Sequence, residues 1–120
     1  MGRIFLDTNF YIDITKRAKE KWKTLGENLL FISPLSVHIL FYARKLKVPD
    51  LEINKLQEQF GIVPLTEYIL DKALQGPTKD LEDNIQLHSA AEADCDIFLT
   101  NDSKLLKLKF FGKTEIESAL

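Results

Sequence analysis

Three aspartates stand where short apolar runs or a helix start would present them to one another. Asp7 ends the run Ile4-Phe5-Leu6, Asp102 follows Ile97-Phe98-Leu99-Thr100-Asn101, and Asp83 falls in the first turn of a long helical pattern that opens at Asp80. If the two apolar runs are neighbouring parallel strands, Asp7 and Asp102 come within side-chain reach, because such strands lie about 4.8 Å apart. Carboxylates so close repel, and the repulsion requires either a proton retained at a raised pKa or a cation between them. A hard divalent cation, Mg²⁺ or Mn²⁺, takes oxygen ligands and keeps several waters. It can activate water and stabilise charge on a phosphodiester under in-line attack.

Each acid also has a purely structural reading. Asp80 and Asp83 match a helix cap and its third-position partner, and acids there suit the helix dipole. Asp102 can cap a turn that begins at Ser103. Asp13 reads as a support for helix packing, Asp96 as a structural acid at the amino end of its strand, and Glu82 as a solvent-facing residue at the crevice rim.

The elements that must position these acids follow from pattern. Ile4–Leu6, Leu29–Ile32, Ile62–Leu65 and Ile97–Leu99 are short apolar runs of the kind that form strands buried on both faces, with Pro64 marking an edge. Between them lie helical patterns. Thr8 or Asn9 caps the first, whose apolar face ends near Lys16; Ser33 with Pro34 opens the second; Asp50 opens a third that Gly61 stops. Thr66 opens a fourth, Asp80 the long fifth, and a short turn carries Leu105, Leu106 and Leu108. Strands alternating with helices predict a three-layer α/β/α domain over residues 1–120, with a mainly parallel central sheet. Ligands in such sheets bind beyond the carboxyl ends of the strands, where the polar triplets Asp7-Thr8-Asn9 and Thr100-Asn101-Asp102 would lie.

Composition narrows the function classes. With 120 residues, 16 basic against 18 acidic side chains and a net charge of -2, the chain fits one domain without a strongly basic global field. Nucleic-acid contact must then rest on a local patch, and Lys16, Arg17, Lys19, Lys21 and Lys23 form one, opposed only by Glu20. The bland reading of that run is a solvated helix face, with Trp22 as a packing anchor. One cysteine, Cys95, excludes an internal disulfide, no run reaches the ~20 apolar residues of a membrane span, and no signal-peptide pattern opens the chain, so a cytoplasmic setting is expected. His38 and His88, with that one cysteine, do not make a zinc set. No serine or cysteine nucleophile motif and no glycine-rich phosphate loop is present.

Taken together and in order, Leu6-Asp7-Thr8-Asn9, Ser33-Pro34-Leu35-Ser36, Asp80-Leu81-Glu82-Asp83 and Leu99-Thr100-Asn101-Asp102 resemble the PIN-domain family of metal-dependent ribonucleases. The compact size resembles the VapC-type toxins and their free-standing relatives. The resemblance spans nearly the whole chain. It implies an endoribonuclease in which Asp7, Asp83 and Asp102 hold Mg²⁺ or Mn²⁺ and cut RNA, while Asn9, Ser36 and Asn101 order the site or its waters. It also implies a homodimer and, for toxin members, an antitoxin protein as partner.

One departure stands out. The family carries a glutamate early in its second helix, and the matching position here is Ile39, with no acid anywhere between Glu27 and Asp50. His38 is adjacent, but one helical step turns it by about 100° onto another face. The rival expectation is therefore a degenerate PIN domain that binds RNA or a protein partner without cleaving. A phosphatase using an Asp nucleophile is disfavoured, since Asn9 stands where haloacid-dehalogenase-like enzymes place their second aspartate.

Overall fold

The computed structural model describes residues 2–120. Its six-stranded sheet has the order β3-β2-β1-β4-β6-β5. The strands are β1 (Arg3–Leu6), β2 (Leu29–Ile32), β3 (Phe60–Ile62), β4 (Ile97–Leu99), β5 (Phe110–Phe111) and β6 (Thr114–Glu117). All pairings are parallel except that of β5 with β6. The helices are α1 (Thr8–Ile12), α2 (Pro34–Arg44), α3 (Leu51–Leu56), α4 (Glu67–Ala73), α5 (Leu81–Glu92) and α6 (Ser103–Leu106).

Successive strand residues point to opposite faces, and the core divides accordingly. Ile4 and Leu6 of β1 join Leu30, Ile32, Leu99 and the buried residues of α1, α2 and α3 in one cluster. Phe5 faces the other way, with Phe98, Ile116 and the buried residues of α4, α5 and α6. Phe5 and Phe98 lie opposite one another in the β1–β4 register and stack with centroids 5.6 Å apart. Burial on both faces is why the strands are nearly continuous apolar runs rather than alternating ones. The expected three-layer arrangement is the one observed.

The chain leaves β1 toward β2 and β3 on one side, then returns to β4 on the other. This reversal falls at the carboxyl ends of β1 and β4, the usual ligand position in such sheets.

Several local expectations differ from the structure. Asp7, rather than Thr8 or Asn9, caps α1: its backbone is extended and its carboxylate accepts from the Thr8 N–H at 2.9 Å. After Ile12 the helix widens into a π-helical stretch, Asp13–Arg17, and then a 3₁₀ stretch, Lys19–Leu25. The Thr15 hydroxyl donates back to the carbonyls of Tyr11 and Ile12, a bonding pattern that loosens a helix.

Gly61 does not stop a helix but sits within β3, opposite Phe31 of β2. A Cβ at Gly61 would lie 2.7 Å from two ring carbons of Phe31, so the glycine leaves room for an aromatic laid across the edge strand. The β5–β6 hairpin was not expected at all, and it places β6 beside β4, continuing the parallel sheet.

Candidate functional site

The β1–β4 register carries the two polar triplets to the same edge. Leu6 pairs with Leu99, and the ladder continues one step further through the Asp7 N–H, which donates to Leu99 O at 2.9 Å. Asp7 therefore faces Thr100, whose hydroxyl donates to Asp7 Oδ2 at 2.8 Å. With Thr8 N–H on Oδ1, both carboxylate oxygens are engaged, and the residue is only 4% exposed.

Asp83 reaches this edge from α5. Asp80 caps the helix by accepting from the Asp83 N–H at 2.9 Å, as the spacing suggests. The start of α5 is pinned by Asn84, which is buried: its amide donates to Ala73 O and Thr78 O, and its Oδ1 accepts from the backbone and hydroxyl of Thr78. Asp102 caps α6 through Lys104 N–H and its own N–H donates to Thr100 Oγ1, so one threonine touches both strand-end acids.

Electrostatics record how these groups face each other. Burial raises the Asp7 pKa from its ordinary value against the two hydrogen bonds that favour its anion, and Glu82 and Asp102 add repulsion. Desolvation pushes Asp83 up to about 7, reinforced in turn by Asp80, Asp7, Asp102 and Glu82. The three sequence-selected aspartates thus share one field. Glu82, expected to face solvent, is half-buried and precedes Asp102 among the causes acting on Asp7.

The auxiliary residues fall in two groups. Ser36 is fully buried in the first turn of α2, 2.9 Å from Thr8 Oγ1, and Gln86 of α5 donates to both hydroxyls, at 3.0 and 3.2 Å. Asn9 and Asn101 are exposed; Asn101 donates to Asp13 Oδ2 at 3.3 Å, while the Asn9 carbonyl accepts from Arg17. Asn84 and Gln86 were not singled out by pattern. The available signal was a polar residue at positions of α5 whose neighbours, Ile85 and Leu87, are core.

The basic run is largely engaged within the fold. Lys16 and Lys19 pair with Glu52 at 3.1 and 3.8 Å, and Arg17 and Lys21 with Asp13 at 2.7 and 3.5 Å. Lys23 is exposed, and Trp22 packs edge-on to Phe60, the anchor role expected of it. Ile39 is packed against the core cluster of α1 and α2, so its position is apolar by environment as well as by identity.

A set of carboxylate oxygens in one crevice is the donor chemistry of Mg²⁺ or Mn²⁺. Among the described residues no three His, Cys, Asp or Glu side chains are gathered into a metal-holding group. The arrangement fits an ion held by one or two carboxylates with water completing its shell, as Mg²⁺ commonly is.

Comparison with known proteins agrees with the fold. The PIN-domain family model matches residues 4–111. No curated protein matches the chain. Among solved structures, VapBC2 from Rickettsia felis, crystallised bound to a DNA fragment from its promoter, is similar over 96% of this chain and 97% of its own, with a TM-score of 0.64 at 16% identity. At that identity the likeness is one of fold. The family model covers most of the sequence, and the chain belongs to the PIN-domain family.

Proposed function

We propose that this chain is a metal-dependent endoribonuclease that hydrolyses RNA phosphodiester bonds in the crevice between β1 and β4. The observation that carries the reading is Asp7: a carboxylate kept 96% out of solvent at the switch point, its pKa raised by that burial and further by neighbouring acids. Burying an acid among acids is costly unless it keeps its proton or a cation offsets the repulsion, and a bound cation would displace that proton. PIN-domain membership supports nuclease chemistry for such a site.

In this reading the cation sits among Asp7, Asp83 and Asp102, held directly by one or two of them and through its waters by the rest. When bound, Mg²⁺ or Mn²⁺ would supply an activated water and stabilise charge on the phosphodiester. The chain's own work is positioning. Thr100 and the Thr8 N–H fix both Asp7 oxygens, Asp80 and Asn84 set the start of α5, and Asn101 with Asp13 shapes the rim. Lys19 and Lys23, the more exposed cations of the basic run, would contact the RNA backbone.

Asp7→Asn and Asp102→Asn, tested with single-stranded RNA and Mn²⁺, are expected to lose cleavage. Cleavage that survives both substitutions removes the proposed site. The second reading, a PIN domain that binds RNA or a partner without cutting, is favoured by Ile39 and by the ungathered acids. RNA binding with no cleavage in wild type would establish it.

The fold likeness to VapBC2 supports a protein antitoxin as partner; the proposal further takes the chain to act as a homodimer in the cytoplasm. No helix among the described residues is long and apolar enough to cross a membrane.

A further inference from the structure

Gln86 is a long polar side chain at 0% exposure in the middle of α5. Its Nε2 donates to Thr8 Oγ1 at 3.0 Å and Ser36 Oγ at 3.2 Å, while its Oε1 is buried with no hydrogen-bond partner. Leaving a buried carbonyl oxygen unpaired is unfavourable, and an apolar side chain of similar volume would avoid it. What the amide does instead is join three elements: α5, the start of α1 and the first turn of α2.

Two of those elements carry acids. Thr8 holds Asp7 through its backbone N–H, and Asp83 lies three residues before Gln86, on the same face of α5. Like-charged carboxylates on separate elements drive those elements apart, and a neutral amide can hold them together without adding charge.

We propose that Gln86 is a positioning residue that, through its bonds to Thr8 and Ser36, sets the spacing between Asp7 and Asp83 for the divalent ion. The proposal rests on the metal-site reading above. Gln86 touches neither the ion nor RNA; it acts through Thr8 on one side and its own helix on the other. Removing partners that orient ligands commonly costs about 10- to 100-fold in metal affinity.

The test is Mn²⁺ affinity of the full chain without RNA, measured from free Mn²⁺ by electron paramagnetic resonance, alongside thermal stability in chelator. Gln86→Met keeps the volume and removes both N–H donors. It is expected to weaken Mn²⁺ binding by 10-fold or more with stability in chelator unchanged or raised. Thr8→Val is expected to weaken binding likewise, and the double variant to lose little beyond either single one, since both break one link.

Unchanged affinity in Gln86→Met, or fully additive losses in the double variant, overturns the positioning role while leaving the metal site standing. Absence of Mn²⁺ binding by wild type overturns the metal site itself. Should Gln86→Met fail to fold, Ser36→Ala removes one acceptor of the same amide, and unchanged affinity in that variant is the overturning result.

Discussion

Thr100 donates its hydroxyl proton to Asp7 Oδ2 at 2.8 Å across the ends of β4 and β1, and accepts from the Asp102 N–H at 3.0 Å. One hydroxyl thus fixes the buried acid on one strand and the backbone leading to the acid after the other. Thr100→Val keeps the shape and removes the bond. The loss is expected to be about 1–3 kcal/mol, because a buried carboxylate oxygen is left unpaired. The Asp7 pKa should rise further, as the Thr100 bond opposes the shift caused by burial. Urea denaturation and carboxyl-carbon NMR titration check the two effects.

Asp83 gives stability a pH dependence of a particular sign. Between its ordinary 3.8 and about 7 the folded chain retains a proton that the unfolded chain has released. Stability should therefore fall as pH rises through that window, and the raised Asp7 contributes in the same direction. Asp83→Asn is expected to flatten the fall and raise the Tm at pH 7.5. Adding Mn²⁺ should raise the wild-type Tm at pH 7.5 and leave it unchanged at pH 4. A thermal scan across pH with and without metal decides the matter; a Tm that climbs through the window would contradict it.

Gly61→Ala places a methyl group 2.7 Å from the Phe31 ring. The ring is held from its own side by Arg3, whose guanidinium lies 4.4 Å from its centroid. Overpacking of this kind is expected to cost about 1–3 kcal/mol. Phe31→Leu in the same chain should recover part of the loss, and the four-variant set can be compared by chemical denaturation.

RNA affinity should depend unequally on the basic run. Lys16, Arg17 and Lys21 are held by Glu52 and Asp13, whereas Lys19, at the longer 3.8 Å from Glu52, has its side chain 63% exposed, and Lys23 is exposed as well. Lys19→Gln and Lys23→Gln are expected to weaken single-stranded RNA binding more than Lys16→Gln does. Each lost phosphate contact should reduce the salt slope by about 0.7. Fluorescence anisotropy at several salt concentrations reads both quantities, and equal effects at all positions would rule out the proposed approach path.

Ile39→Glu tests whether the absent acid limits the site. Ile39 packs against the α1–α2 cluster, so a charge there is expected to cost about 1–3 kcal/mol in stability. If α2 nevertheless presents the new carboxylate to the crevice, Mn²⁺ affinity should rise several-fold. No gain in affinity would mean that the absent acid at position 39 does not limit the site.

Much of the fold was legible because strands and helices here obey local rules. Three of the apolar runs, the caps Ser33, Asp50, Thr66 and Asp80, and the layered architecture follow from composition and period, whereas the strand expected at Ile62–Leu65 lies at Phe60–Ile62. The failures are equally local. The 3₁₀ turn at Gln57–Gln59 hands the chain into β3 before Gly61, so a glycine that suits a helix stop is instead a clearance for Phe31. Thr114 and Ile116 are buried while Glu115 and Glu117 are exposed, a period-two signal too short to stand out until β4 offers it a partner.

The sequence by itself determined which acids could meet. It put Asp7 and Asp102 just beyond two apolar runs and Asp83 in the first turn of a capped helix, and local patterning suffices for those placements. Only the tertiary structure decided that β1 and β4 are neighbours, that Thr100 serves Asp7, and that Gln86 ties α5 to Thr8 and Ser36. Those relations join residues 78 and 93 positions apart. Contacts at such separation depend on register and on which helix packs where, and neither is encoded in any short stretch of chain.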